Sequence, residues 1–348
     1  MRFHPFSLHY RAFSRFQVVN KENIQSSFLE KVRSKLPPTI SFADELAELL
    51  DISRDSAYRR IRGETILSLD EVKKMCDHFK ISLDHALSPS SEIVTFQIRA
   101  LDATNFSFEK WLQSILDKLK MFGGFQEKEL VYNAKDLPPF HFFQYPQLSA
   151  FKMYFWKKAF ARDTKFSSGK YHPGLIGKEL IAIGQKIWEE YAAIPSTEIV
   201  SVEVLNIMLR NIEFAHECGM FENPDEGLQL CDACSTLIDT MRRQAEMGKK
   251  GADASDQKGG RYELYHNEIL LGDNTILFKM GDKRVTYIIA NNFDILTTNQ
   301  ESFCKLTESF MDNLVSKSTL ISHNAQKERI KFFNKLEEKI HETKEKIS

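Results

Sequence analysis

The chain has 348 residues, of which 42% are hydrophobic and 27% charged, so its composition is that of an ordinary globular protein. Lys and Arg together number 47, and Asp and Glu number 48, so the net charge of −1 provides no overall attraction to nucleic acid or to a membrane. Any DNA-binding charge must therefore be local. Five cysteines do not indicate a secreted disulfide framework, and without an apolar run of membrane-spanning length we expect a cytoplasmic protein with no membrane partner.

The first stretch, residues 1–20, contains Arg2, Arg11 and Arg15, several aromatic residues and no acidic residue. It lacks the continuous apolar segment of a secretory signal. Arginine without acid also suits an organellar transit peptide or a basic arm that lies on DNA. We favour a disordered leader, or upstream sequence included by a wrongly assigned start.

Five short helices are predicted between Asn23 and Leu87, and together they form a compact bundle over residues 21–88. Ser41, Ser53, Ser68 and Ser82 each stand at or just before the start of a helix, where a hydroxyl can cap free backbone N–H groups. Gly63 ends the third helix, because glycine adopts the left-handed backbone conformation of a C-terminal cap.

The segment Phe42 to Gly63 reads FADELAELLDISRDSAYRRIRG, and its spacing predicts two helices joined by a tight turn. The side chains expected to pack inward are Leu46, Ala47, Leu50, Ile52, Ala57 and Ile61. The third helix is then expected to expose a second set of side chains, namely Arg54, Asp55, Tyr58, Arg59 and Arg62. A helix that exposes several arginines, with its N-terminus free, suits the major groove of DNA.

This segment strongly resembles the helix-turn-helix of the XRE, or lambda-repressor-like, regulators. The resemblance continues through SLDEVKKMCDHFKISLDHAL and so covers residues 23–87. Two positions depart from the pattern: Asp51 stands in the turn where glycine is usual, and Arg60 stands where an apolar residue is common. The departures blur which arginines read bases and which contact phosphate.

The candidate DNA-binding residues are Ser53, Arg54, Asp55, Tyr58, Arg59 and Arg62. The guanidinium group of each arginine can form a pair of hydrogen bonds with a guanine edge or can hold a phosphate. Asp55 can accept a hydrogen bond from a cytosine amino group or orient Arg59. The hydroxyl of Ser53 and the first amides of the helix can hold a phosphate.

Beyond a linker at 89–105, residues 106–348 are predicted to form an α+β regulatory or dimerisation domain with a mobile loop at 247–260. The protein is thus expected to be mainly α, with a five-helix N-terminal bundle and a small antiparallel sheet of sensor type (GAF-like or PAS-like, by fold analogy alone) in the larger domain. Predicted helices span 108–122, 146–160, 175–191, 196–218, 224–247, 300–315 and the segment from Ala325, and predicted strands span 93–98, 129–132, 262–271, 275–280, 285–290 and 319–322.

Two features of this domain are candidates for a metal site and for a ligand pocket. Cys231 and Cys234 form a lone CxxC, and with His216 and Cys218 a four-ligand metal site can be imagined. A CxxC within an amphipathic helix is more often a pair of packing cysteines, so we expect no metal. The aromatic run at 138–146 lines either a ligand pocket or the core. Without a P-loop, dinucleotide fingerprint or nucleophile elbow, we expect no catalytic residue, no cofactor and no enzyme activity.

In the last helix, apolar or small residues recur at alternating steps of three and four, at Phe333, Leu336, Ile340, Thr343 and Ile347. This seam can join two protomers or dock onto its own domain. The sequence predicts a transcriptional regulator that binds double-stranded DNA as a homodimer and responds to an unidentified small-molecule or protein effector. The alternatives are a scaffold whose bundle docks a protein partner, and a metal-dependent C-terminal enzyme.

Overall fold

The computed structural model describes residues 24–36, 40–79, 81, 83, 94–98, 107–160, 169–251, 259–269, 271–291 and 294–348. The chain divides into two compact units, Met1–Thr95 and Phe96–Ser348, here called the N-terminal and C-terminal units. The predicted leader at 1–20 lies outside the described residues. So do the predicted fifth helix at 82–87, apart from Leu83, and all of the predicted linker except 94–98.

The described part of the N-terminal unit contains four helices, which are α1 (Ile24–Arg33), α2 (Phe42–Leu50), α3 (Arg54–Ile61) and α4 (Leu69–Phe79). All four contribute to one small core, whose fully buried members are Phe28, Leu29, Val32, Leu46, Leu50, Ala57 and Met75. The predicted inward residues of α2 and α3 are among these or pack against them.

At Asp51, Ser53 and Gly63 the N-terminal unit follows the predicted chemistry, whereas the Ser41 hydroxyl makes no capping hydrogen bond to α2. Asp51 takes the left-handed conformation (φ 55°) that glycine usually fills in this turn, and Gly63 does the same after α3 (φ 74°). The Ser53 hydroxyl accepts a hydrogen bond from the Ser56 N–H at 3.2 Å and so caps α3.

The C-terminal unit contains a sheet and eight described α-helices. These helices are α5 (Phe108–Gly123), α6 (Pro139–Phe143), α7 (Pro146–Phe160), α8 (Lys178–Ala193), α9 (Asn206–Glu217), α10 (Glu226–Met247), α11 (Glu301–Ser316) and α12 (Gln326–Ile347), and a 3-10 turn spans Pro173–Leu175. The strands are β1 (Gln97–Ile98), β2 (Lys128–Ala134), β3 (Ser196–Val200), β4 (Tyr262–His266), β5 (Asn274–Met280), β6 (Lys283–Asn291), β7 (Asp294–Thr298) and β8 (Thr319–Leu320).

The sheet is larger than predicted and mixed, so the expectation of a small antiparallel sheet is wrong. Its eight strands lie in the order β1-β7-β6-β5-β2-β3-β4-β8. The strands β2, β3 and β4 run parallel, because helical crossovers connect them, and the other pairs are antiparallel. The predicted helix at 196–218 is correct only from Asn206, since its first five residues form β3, which is buried throughout.

The seam of α12 is occupied within its own unit. Phe333, Leu336, Ile340, Thr343 and Ile347 are all buried, and α12 packs along α9 and α10. Of the two alternatives for this seam, the structure supports docking onto its own domain. The seam is therefore not available to join two protomers while the unit is folded.

The ends of the predicted loop at 247–260 are packed. The Lys250 N–H donates to the Gly260 carbonyl at 2.9 Å, and Gly260 in turn donates to Ala192 at 2.7 Å. Residues 252–258 lie outside the described part. No helix among the described residues is both long and apolar enough to cross a lipid bilayer.

Candidate nucleic-acid interface

Helix α3 exposes one polar face, formed by the predicted DNA-binding residues. Arg54, Asp55, Tyr58 and Arg59 are exposed on the helix, and Arg62 is exposed at its C-terminal cap. The opposite side is held in the core by Ala57, which is fully buried. One helix therefore brings five of the six predicted site residues to one accessible surface, with Ser53 at its N-terminal end.

Each exposed arginine of this face has a carboxylate partner in the free protein. Arg54 Nε lies 2.9 Å from an oxygen of Asp44, and the Arg54 guanidinium also lies 5.9 Å from the centre of the Tyr58 ring. Arg59 Nε lies 3.3 Å from Asp55, four residues earlier. Ion pairs between exposed side chains contribute little and are weakened by salt, so a DNA phosphate or a guanine edge can replace these carboxylates.

Arg62 has the same arrangement at the C-terminal end of α3. Two of its guanidinium nitrogens donate to the two carboxylate oxygens of Glu64, at 2.6 and 3.1 Å. The hydrogen bond and the charge of Arg62 lower the pKa of Glu64, so this carboxylate stays ionised beside Arg62.

Arg60 does not belong to this face. Its side chain is only 16% exposed, and its Nη2 and Nε atoms donate to one oxygen of Glu71 on α4, at 2.7 and 3.0 Å. A third bond runs from Nη1 to the Ser56 carbonyl at 3.2 Å. Arg60 can occupy a position where the pattern that this segment resembles favours an apolar residue, because α4 supplies a partner for its charge and so joins α3 to α4.

The partner of Arg60 is itself fixed by a capping box. Glu71 accepts a hydrogen bond from the Ser68 N–H at 2.9 Å, while the Ser68 hydroxyl accepts one from the Glu71 N–H at 3.2 Å. Burial alone would raise the pKa of Glu71. The hydrogen bonds from Arg60 and Ser68 have a larger, opposite effect, so the pKa lies below its usual value. In the sequence, this capping box is indicated by the spacing S-x-x-E at the start of α4.

The CxxC of the C-terminal unit lies in its interior. Cys231 and Cys234 are fully buried on α10, and burial raises the pKa of Cys231 to about 12 and that of Cys234 above its usual range. Cys218 is exposed at the end of α9. Among the described residues no group of three His, Cys, Asp or Glu side chains is placed to hold a metal ion. Buried thiols of raised pKa are poor nucleophiles and are suited to packing.

A buried ionisable cluster in the C-terminal unit was not predicted. Glu198 on β3 accepts hydrogen bonds from the hydroxyls of Tyr191 and Tyr262, the latter at 2.9 Å, and lies 2.8 Å from His141 Nε2. Lys250 Nζ donates to the Tyr191 carbonyl at 2.8 Å and lies 3.5 Å from the centre of its ring.

The surroundings of this cluster shift its titration. Burial would raise the pKa of Glu198, but His141 and Lys250 lower it by more, so the carboxylate stays ionised inside the protein. Burial lowers the pKa of Lys250 to about 7, although Glu198 opposes the shift. The cluster joins α6, α8, β3, β4 and the chain after α10, so its polar contacts hold these elements together inside the core.

Part of the predicted aromatic run borders a cavity of about 540 Å³ in the C-terminal unit. Pro139 and Phe140 line it, together with Trp156 on α7, whereas Phe142 and Phe143 are buried in the core. Some residues of the aromatic run therefore line the cavity, and others pack in the core. Whether this cavity holds a ligand stays a prediction.

Comparison with known proteins concerns the N-terminal unit alone. No curated protein and no solved structure matches the chain. Residues 43–85 match a protein-family model described as helix-turn-helix, which spans α2, α3 and α4. The N-terminal unit thus carries a helix-turn-helix of the XRE type, as its resemblance to those regulators predicted.

Proposed function

We propose that this protein is a transcriptional regulator that binds double-stranded DNA sequence-specifically by placing α3 in the major groove. The observation that carries the proposal is the exposed face of α3, where Arg54, Tyr58, Arg59 and Arg62 lie on one accessible surface of a helix-turn-helix unit. Guanidinium groups in such a position bond guanine edges or phosphates.

When the protein binds DNA, the arginines of α3 exchange their carboxylate partners for groups on the DNA. Arg54, Arg59 and Arg62 leave Asp44, Asp55 and Glu64 for the DNA. Because each carboxylate is exposed, it is solvated by water after its arginine leaves, and the exchange costs little. Phosphate contacts also release counterions from DNA, so affinity falls steeply as salt rises.

The regulator acts as a homodimer, and its C-terminal unit provides the dimer contact, the response to an effector, or both. One short recognition helix reads too few base pairs for useful specificity, whereas two helices about 34 Å apart read two half-sites. Because the α12 seam is buried within its own unit, the dimer contact uses another surface of the protein.

The test is the affinity of full-length variants for a duplex selected from a random library. We expect Arg59→Ala to weaken binding to this duplex by tenfold or more, as loss of one base contact does. The control is Lys73→Ala, which removes an exposed cation of the same unit from α4, where it pairs with Asp77. Equal effects of the two substitutions, with weak and salt-independent binding throughout, would favour a bundle that docks a protein partner.

A further inference from the structure

The sheet of the C-terminal unit has a second face, on which α11 packs. Successive residues of β2 point to opposite sides of the sheet. Leu130 and Tyr132 therefore belong to the main core, whereas Val131 packs with Leu277 of β5 and Met311 of α11. One side of α11 is thus held against the sheet, and its other side is exposed.

One flank of this exposed side is apolar. Leu306 and Phe310, four residues apart, are 66% and 52% exposed, and Phe303 and Leu314 lie half-buried on the same flank. Single exposed apolar residues are common on soluble proteins, whereas contiguous apolar patches mark contacts with other molecules. We call these four residues the apolar flank of α11.

The opposite flank of the exposed side is charged. Lys305 and Asp312 are exposed and seven residues apart, so they lie on the same side of the helix. Between the two flanks lie Ser302, Ser309 and Asn313, which are exposed and uncharged. Short side chains in this position allow the backbone of a second helix to approach closely.

The two flanks complement themselves when two copies of α11 meet antiparallel across a two-fold axis. In such a pair the same flanks of the two helices meet, and each residue lies opposite the residue equally far from the axis. Three pairs of residues, each on one flank, have their midpoints at or just beyond Glu308, namely Leu306 with Phe310, Phe303 with Leu314 and Lys305 with Asp312. One axis beside Glu308 therefore matches apolar with apolar residues and the cation with the anion.

A parallel pair of the same helices has no such match. Unlike flanks meet in a parallel pair, so Lys305 and Asp312 would lie against the apolar flank and lose water without gaining an opposite charge. In one chain alone, Lys305 Nζ lies 2.6 Å from an oxygen of Glu301. Both side chains of this pair are exposed, so exchanging Glu301 for Asp312 of a second copy costs little.

We propose that the exposed side of α11 binds α11 of a second copy of this chain, with the two helices antiparallel. The use of this dimer to place two recognition helices on DNA rests on the proposed function. Association itself is measured without DNA, so failure of either proposal leaves the other standing.

The experiment is sedimentation equilibrium of the full-length protein without DNA. We expect the average mass to rise with concentration from that of one chain towards that of two. Lys305→Glu places two carboxylates opposite each other, and Asp312→Lys places two ammonium groups there. Each change should weaken the dimer about tenfold or more, because both symmetry-related pairs turn from attractive to repulsive.

An equimolar mixture of these two variants is the sharpest test of the antiparallel arrangement. In a mixed dimer, Glu replaces Lys305 on one chain and faces the Lys that replaces Asp312 on the other, while the remaining Lys305 faces the remaining Asp312. Every charged pair is then again of opposite sign. The mixture should therefore associate about as tightly as the parent protein, although neither variant does so alone.

Two further variants complete the test, with the folding of each variant checked by circular dichroism. Phe310→Ser should weaken the dimer about tenfold, because it removes an exposed aromatic ring from the apolar flank. The control is Lys331→Glu on α12, which reverses an exposed lysine that likewise pairs with a glutamate of its own helix, and it should leave the dimer unchanged.

The outcomes separate this contact from other forms of association. The proposal is overturned if the parent protein stays monomeric up to its solubility limit. It is also overturned if either charge reversal, or Phe310→Ser, weakens the dimer no more than Lys331→Glu does, or if the mixture of the two charge-reversed variants stays dissociated.

Discussion

Replacing Arg60 with alanine should loosen the N-terminal unit, whereas the same change at the neighbouring Arg59 should leave it intact. Arg60 and Glu71 are only 16% and 17% exposed, and the substitution removes three hydrogen bonds of Arg60. A pair of this kind lies between an exposed ion pair, about 0–1 kcal/mol, and a buried one, about 3–5 kcal/mol, so we expect a loss of about 2 kcal/mol. Arg59 loses one exposed contact to Asp55, about 0.5 kcal/mol.

Hydrogen exchange of the full-length protein, read by mass spectrometry in peptides from residues 42–79, measures both effects. A loss of about 2 kcal/mol speeds exchange of the slowest amides about 30-fold, and 0.5 kcal/mol speeds it about twofold. DNA affinity should show the reverse order at conditions where both variants are folded, with Arg59→Ala the weaker binder. Equal acceleration by the two substitutions, or none by Arg60→Ala, would refute the assignment of Arg60 to the α3–α4 contact.

Three further predictions concern pH, competition and the last helix. Because burial lowers the pKa of Lys250 to about 7, the unfolded chain binds more protons than the folded protein between pH 7 and 10. The free energy of unfolding of the C-terminal unit, followed by the fluorescence of its three tryptophans, should therefore rise with pH across this window. The rise should be steeper than in Lys250→Met by up to about 1.4 kcal/mol per pH unit. Equal pH dependence in the two proteins would contradict this. Glu64→Gln should tighten DNA binding a few-fold by freeing Arg62, and weaker binding in a fluorescence anisotropy titration would count against competition. Leu336→Ala should destabilise the C-terminal unit by about 3 kcal/mol in urea unfolding without changing the sedimentation coefficient, whereas dissociation of a dimer would show that the α12 seam joins protomers.

The four described helices of the N-terminal unit could be predicted almost entirely from local signals. Serine caps, the left-handed positions at Asp51 and Gly63 and the helical spacing of apolar residues each depend on neighbours in sequence. The exception is Arg60, which the sequence shows only as a departure from the family pattern. Its partner Glu71 lies on the next helix, and only the packing of α3 against α4 brings the two together.

The sequence underestimates the C-terminal sheet because β3 carries no alternating pattern of buried and exposed residues. Ser196–Val200 is buried on both faces and leads into a helix nearby, so the whole segment resembled one helix. The strand Asp294–Thr298 and the short helix Pro139–Phe143 are also absent from the predicted elements.

The ionisable cluster around Glu198 could not be predicted from the sequence. Its members come from five separate segments, and none has a neighbour in sequence that signals its role. A glutamate in a short strand usually indicates a solvent-facing position, and the parallel strands on both sides of β3 reverse that expectation.

The most direct test of the central claim is selection of genome fragments by the purified full-length protein, followed by titration of the enriched duplex across salt. We predict enrichment of a sequence with two half-sites about one helical turn apart, affinity that falls steeply with salt, and loss of that affinity in Arg59→Ala. If no sequence is enriched and binding is weak and uniform, α3 does not read DNA, and the helix-turn-helix unit serves as a docking surface for a protein partner.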